Sequence, residues 1–186
     1  MTAATLLPVR GLEVLEASGV SSDAAADQAV VDLEVRHGQA LFGFVRRQGL
    51  TDTEAEDAVQ EVLVRLWLEI RAGRAVDNPR AWAYRSVYRI AMDSHRLHRR
   101  VAGLIQRLDA RPSAAATRDA TDQLAVWAEV DRLPVRQRQV LYLRYRADLS
   151  FEEIALTLGI TASAARSHAT QAMATLRRNL APDEAP

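Results

Sequence analysis

Twice along this chain a hydroxyl residue stands three positions ahead of a glutamate at the head of an apolar run, in Thr51-Asp-Thr-Glu54 and in Ser150-Phe-Glu-Glu153. In such a capping box the hydroxyl accepts a backbone N–H of the first helical turn and the carboxylate reaches back to the N–H of the cap. Each box therefore commits its segment to a helix. The first opens a run with Ala55, Val59, Val62, Leu63, Leu66, Trp67 and Ile70 on one broad face, and the second a short helix with Ile154 and Leu158 one turn apart. Composition agrees: only 5% of residues are aromatic, so the 48% hydrophobic content is mostly Ala, Leu and Val. Such a chain favours helix over sheet, and the expected class is all-α.

Periodicity and punctuation divide the chain. Residues 1–29 are Ala, Ser and Thr with scattered acids, and read as a mobile acidic arm. From Val30 a helical period is expected through Val31, Val35, Leu41, Phe42 and Val45, closing at Gly49. The Thr51 helix follows, then Gly73 and Asn78-Pro79, where Pro79 suits the first turn of a third helix through Trp82, Val87, Ile90 and Ala91. These segments make one domain over 30–108, in which Trp82 falls on the apolar stripe. The Pro/Ala/Ser stretch within 109–121 reads as a flexible linker. A second small helical domain spans 122–180, broken at Leu133-Pro134, and 181–186 form a tail.

The 186 residues contain no Cys, which excludes disulfides, thiolate zinc sites and thiol nucleophiles. No phosphate-binding glycine loop, nucleophile elbow or paired-carboxylate constellation is present, so no catalytic residue, cofactor or metal site is expected. His95 and His98 have metal-compatible spacing, yet Arg96, Arg99 and Arg100 around them would repel a dication, and exposed polar histidines are the better account. Neither a membrane span nor a signal peptide is evident, and a cytoplasmic protein is expected.

Charge is balanced overall but unevenly placed. The first 32 residues hold one Arg against five acids, whereas residues 80–111 hold eight Arg against Asp93 and Asp109. That basic stretch is the footprint of a surface that meets phosphates, although a solvated helix face would carry the same charge. The contrast also raises the possibility that the acidic arm folds back to mask the Arg-rich helix.

The most specific local signal runs from Ser150 to His168. After the capped helix, Gly159 supplies a turn and Thr161 caps a second helix, while Ala155 provides the small side chain needed where two helices cross closely. This is the pattern of a helix-turn-helix. Arg166, Ser167, His168 and Gln171 then offer donors and acceptors to base edges in a major groove, with Arg177 and Arg178 for phosphates. An αα-hairpin with a polar surface is the plainer alternative.

Taken with the basic helical unit upstream, this arrangement resembles an RNA polymerase sigma factor of the extracytoplasmic-function (ECF) type in the sigma-70 family. Glu56-Asp57-Ala-Val-Gln60-Glu61-Val-Leu-Val-Arg-Leu-Trp67 and Asn78 to Arg96 resemble that family's region 2, and Leu133-Pro134 through Arg178 resembles region 4. The resemblance implies that Asp57, Gln60, Glu61 and Trp67 dock on the clamp helices of the polymerase β′ subunit, although Trp67 suits a core position equally well. It also implies a −10 surface in which Tyr84, Tyr88 and Arg89 offer stacking planes and cations, with Arg85, Arg96, Arg99 and Arg100 for the backbone, the chemistry that single-stranded DNA requires. The −35 element would fall to Thr161, Ser163, Arg166, Ser167, His168, Gln171, Arg177 and Arg178. Implied partners are core polymerase, through the β′ clamp helices and the β flap, and promoter DNA. Many relatives are held by an anti-sigma factor, but no residue here identifies one.

The sequence departs from the family at several positions. Arg89 stands where many members have Asn, Ala164 and Ala165 replace Thr and Val, and Gln171 replaces Arg, giving a less basic recognition helix. Weak duplex binding by the C-terminal unit alone is expected. The competing reading is a free-standing helix-turn-helix regulator whose N-terminal domain senses a ligand or dimerises. That reading requires an apolar pocket or an exposed apolar patch in the first half.

Overall fold

The computed structural model describes residues 12–106 and 124–180, with side chains described over 23–101 and 126–180. Seven helices are present among them: α1 (Leu12–Arg46), α2 (Asp52–Arg71), α3 (Pro79–Gln106), α4 (Leu124–Arg132), α5 (Val135–Tyr145), α6 (Phe151–Leu158) and α7 (Ala162–Leu180). The first three form one helical unit and the last four another, and no strand occurs among the described residues. The linker proposed at 109–121 and the tail at 181–186 lie outside the described residues.

The punctuation works as its chemistry dictates. Thr51 is extended at φ −68° and ψ 166°, its hydroxyl accepts the Glu54 N–H at 3.3 Å, and its own N–H donates to Glu54 Oε2 at 2.8 Å. Asn78 caps α3 by accepting the Ala81 N–H at 3.0 Å. Gly49 at φ +92° and Gly159 at φ +66° occupy the left-handed region at which α1 and α6 turn off, a conformation that strains any residue with a Cβ.

The Thr51 box also holds the Glu54 carboxyl below its ordinary range, first through the Thr51 N–H and then through its hydroxyl. A depressed carboxyl stabilises the fold fully above the ordinary glutamate range, and that contribution is lost as pH falls through the folded value. Replacing Thr51 with Ala is expected to cost about 1 kcal/mol at neutral pH. Because the alanine variant keeps the backbone N–H, only the share due to the hydroxyl's bond to the Glu54 carboxylate titrates, so the deficit seen in urea melts should narrow without vanishing as the pH is lowered through the acid range; a deficit that grew on acidification would contradict this account.

Two expectations for the N-terminal half are corrected. The acidic arm does not extend to residue 29, because α1 is continuous from Leu12, and residues 12–29 are helical. Asp23-Ala-Ala-Ala-Asp-Gln-Ala is rich in the best helix former, and Ala26 is fully buried. Asp23 and Asp27 meet α2 rather than the Arg-rich helix. Asp23 pairs with Arg71 at 2.7 Å, and Asp27 accepts the Trp67 indole N–H at 2.8 Å.

The apolar stripe of α1 is the expected one only in part: Leu41 and Val45 are buried and Phe42 packs half-buried against the core, as expected, but the stripe's first two members are not in it. Val31 and Val35 face solvent, whereas Leu33, Leu41, Phe44 and Val45 are buried. Spacing from Val31 to Val35 is helical, but their face is rotated away from the one that Leu41 and Phe44 turn toward α2 and α3.

The cores of the two units are apposed and form one continuous cluster, from Leu33 through Tyr84 and Tyr142 to Leu176. At the junction the Phe44 ring lies 5.6 Å from Tyr84, 6.3 Å from Tyr88 and 5.6 Å from Tyr142. Trp82 is half-buried against this cluster, in keeping with its place on the stripe.

Candidate nucleic-acid interface

The helix-turn-helix is built by α6 and α7. Ser150 accepts the Glu153 N–H at 3.2 Å and donates its own N–H to Glu153 Oε2 at 2.7 Å, so α6 starts at a defined residue. Ile154, Ala155 and Leu158 are buried toward α7, which returns Ala165, Ala169, Ala172 and Leu176. These alanines let the helices approach closely. Thr161 begins α7 by accepting the Ala164 N–H at 3.1 Å.

This packing leaves Ser163, Arg166, Ser167, Gln171 and Arg178 exposed, at intervals that keep them on one face of α7. Arg177 is exposed too, and its stem borders the neighbouring cleft. Arg166 is held in place rather than free: it donates to Glu152 Oε1 at 3.1 Å and sits 5.8 Å above the Phe151 ring. Glu152 lies below the ordinary carboxylate range, chiefly through its own backbone N–H and then through Arg166. Gln171 accepts from Gln137 Nε2 at 3.4 Å. His168 is half-buried, with Nδ1 lacking a hydrogen-bond partner among the described residues, which sets it deeper than its exposed neighbours on α7.

Helix α3 separates the residues expected at the −10 surface into two faces. Arg85, Arg89, Arg96 and Arg100 fall on one exposed stripe with four- and seven-residue spacing, and Arg99 lies beside it. Arg96 pairs with Asp93 at 2.9 Å and Arg99 donates to the His95 carbonyl at 3.3 Å. Arg85, Arg89 and Arg100 hold no ion pair among the described residues. Tyr84 and Tyr88 point the other way, 0% and 8% exposed. Burial pushes the Tyr84 phenol well above its usual range, and its hydroxyl has no partner among the described residues. The Tyr88 hydroxyl accepts from Arg136 Nη1 on α5 at 3.0 Å. In this arrangement the arginines reach solvent and the tyrosine rings do not.

On α2, Asp57, Gln60 and Glu61 are exposed, and Glu61 pairs with Arg65. Two residues that sequence reasoning missed continue this face: Val64 and Leu68, 56% and 49% exposed. They lie one and two turns beyond Gln60 and Glu61, and their departure from the buried stripe of Val59, Val62, Leu63 and Leu66 is the signal that could have found them. Trp67 is half-buried instead, tied to Asp27 and covered by the Arg71 guanidinium at 4.6 Å.

The second unit carries an apolar cleft of about 500 Å³ between α4, α5 and α7, lined by residues that include Trp127, Val130, Leu141, Tyr145, Met173 and Leu176. His95 donates to the Gln48 carbonyl at 2.5 Å, and His98 Nε2 lies 3.2 Å from Glu54, so each histidine is engaged locally. No metal-competent cluster of acidic and histidine side chains occurs among the described residues, and none of their helices is long and apolar enough to cross a membrane.

Comparison with known proteins agrees with this anatomy. The family model for sigma-70 region 2 matches residues 35–116, and that for sigma-70, region 4 matches residues 123–176. The chain is 30% identical over 169 residues to the ECF RNA polymerase sigma factor SigD of Mycobacterium tuberculosis and to that of Mycobacterium bovis, covering 83% of this chain and 77% of each relative. Among solved structures, RpoE bound to the anti-sigma factor NepR from Bartonella quintana superposes with a TM-score of 0.59 at 20% identity, covering 82% of this chain and 96% of that one. CnrH in complex with the cytosolic domain of CnrY gives 0.53 at 23% identity, covering 89% and 96%. At these identities the two structures establish the fold, and the family rests on the sequence matches. With both regions matched in order, the chain belongs to the sigma-70 family of RNA polymerase sigma factors, in its ECF group.

Proposed function

We propose that the protein is a promoter-specificity subunit that binds core RNA polymerase, reads a −35 element with the exposed face of α7 and helps open a −10 element with α3. The observation that carries this reading is the division of labour along one chain. A continuous arginine stripe on α3 and a capped, polar reading face on α7 lie on separate helical units, while α2 offers Asp57, Gln60 and Glu61 with Val64 and Leu68. Carboxylate and amide groups around exposed aliphatic side chains suit a basic, partly apolar helical partner. The arginine stripe supplies the phosphate contacts that dominate DNA affinity, and α7 the donors and acceptors that read bases.

Each weak contact becomes effectively intramolecular once the other is made, so two small units in one chain reach an affinity that neither has alone. Members of the family initiate transcription and leave nucleotide chemistry to the polymerase, and the chain accordingly acts as a specificity subunit rather than an enzyme.

The test is selection of random DNA fragments on core polymerase loaded with the protein. Recovered fragments should share two short elements at a fixed spacing. Arg166→Ala should relax the upstream element only, at a cost of about 1–3 kcal/mol for the base it reads, and Arg89→Ala the downstream element only. Recovery of unrelated fragments, or loss of both elements with either change, would contradict the assignment.

A further inference from the structure

Arg166 lies in the second turn of α7, among the early residues of a recognition helix that reach base edges. Its side chain does not choose its own direction. Nη1 donates to Glu152 Oε1 at 3.1 Å, and the guanidinium lies 5.8 Å from the centre of the Phe151 ring, so two residues at the start of α6 hold one residue of α7 across the turn. Neither anchor is loose. Phe151 packs half-buried against the core, and its ring also takes the Arg144 guanidinium of α5 at 5.5 Å. Arg144 is itself fixed, donating to the Leu149 carbonyl at 3.0 Å. Glu152 stands in the first turn of α6, where unpaired backbone N–H groups favour a carboxylate. Its own N–H, and then Arg166, keep it charged to below the ordinary carboxylate range.

This arrangement does little to hold the fold together. The side chains of the pair are 66% exposed at Glu152 and 54% at Arg166, and ion pairs so open to water add little to stability. The Ser150 box is closed by Glu153, and Glu152 takes no part in it. A carboxylate on a face that meets DNA also opposes binding, because DNA affinity is dominated by neutralised phosphates. An acid that adds little to folding and opposes the backbone contact still decides one thing, which is where Arg166 points. A free arginine beside DNA is drawn to a phosphate, a contact that positions the protein without carrying sequence information. One held in a fixed fork presents its remaining donors to the edge of a base.

We propose that Glu152 is the specificity-determining positioning residue of the −35 reader: with Phe151 it aims Arg166 at a base edge and keeps it off the phosphates, so that this arginine reads sequence rather than backbone. Glu152 reads no base itself. The proposal rests on the reading of α7 as the −35 helix. It gives α6 a part in selectivity that its position outside the reading helix does not suggest, and it makes the selectivity of Arg166 a property of two helices rather than one.

The test uses core polymerase loaded with the full-length protein and a promoter library randomised in the upstream element. Arg166→Ala marks the position that Arg166 reads, as the one whose preference is lost. Glu152→Ala should lower the preference at that same position about tenfold and leave the other positions as they are, whereas Glu152→Gln, which keeps an acceptor at the same reach, should lose less. Once freed, Arg166 should find a phosphate. The slope of log affinity against log salt should then steepen by about 0.9, the signature of one added backbone contact, and affinity for unrelated DNA should rise rather than fall. In the Arg166→Ala background, Glu152→Ala should cause no further loss of preference. A merely structural part for Glu152 gives a different pattern, with weaker binding to every sequence and no steepening. That pattern overturns the proposal, as does a preference unchanged in Glu152→Ala or in Arg166→Ala. Loss of preference at a different position would show that Glu152 reads a base itself, and overturns it too. Wild-type holoenzyme without any upstream preference would instead contradict the α7 reading, and the proposal would fall with it.

Discussion

Phe44→Ala is expected to destabilise the protein by about 3–5 kcal/mol, the range for removing a large aromatic side chain from a packed core. Phe44 is fully buried, and its ring meets Tyr84 and Tyr88 on α3 and Tyr142 on α5. Its loss therefore opens a cavity where the helical units meet. Because Phe44 and Tyr142 touch across the junction, a double-mutant cycle with Tyr142→Ala should give an interaction energy of at least about 0.5 kcal/mol, beyond what distant sites show. Urea denaturation followed by circular dichroism provides both numbers. A cost below about 1 kcal/mol, or strict additivity with Tyr142→Ala, would show that the units do not share their core.

The second large effect is on binding rather than folding. Asp57→Arg should weaken association with core polymerase by about 30- to 100-fold, equivalent to about 2–3 kcal/mol, because it places a cation on a face proposed to meet a basic partner helix. Asp57 is exposed and holds no ion pair among the described residues, so stability should change by no more than about 0.5 kcal/mol. Val64→Asp should weaken binding through the exposed apolar centre of the same face. Trp67→Ala should instead lower stability first, since its indole is committed to Asp27 and Arg71. Titration of labelled protein with core polymerase separates these cases, and unchanged affinity in both Asp57→Arg and Val64→Asp would remove α2 as the docking face.

Local chemistry made much of this structure readable from sequence. Capping boxes at Thr51 and Ser150, the turn at Gly159 and the start of α3 at Pro79 all depend on interactions within one helical turn, and they stand where the residues place them. The exposed polar face of α7 follows from the same period. Features set by distant contacts were not readable. Val31 and Val35 satisfy a helical period as well as Leu41 and Phe44 do, and only the position of α2 and α3 decides which face is buried. The Ala-rich segment before Val30 looks like an arm until α2 supplies Arg71 and Trp67 as partners for Asp23 and Asp27.

Tyr84 and Tyr88 show the limit most clearly. Beside Arg85 and Arg89 they read as an aromatic and cationic surface for a nucleic acid, and that chemistry is sound for α3 viewed alone. Both rings pack against Phe44 on α1, some forty residues earlier in the chain, and the Tyr88 hydroxyl is held by Arg136 on α5, some fifty residues further along. Local sequence says what a side chain can bind, whereas contacts distant in sequence decide whether it is exposed.

The most direct test of the central claim is transcription in vitro with purified core polymerase on fragmented bacterial DNA, comparing the intact protein with Arg166→Ala and Arg89→Ala. The account predicts discrete start sites that appear only when the protein is added, and that shift or fade with either substitution. Core polymerase that gives the same transcripts with and without the protein, while the protein still binds specific duplex sites alone, would contradict it and identify a free-standing regulator.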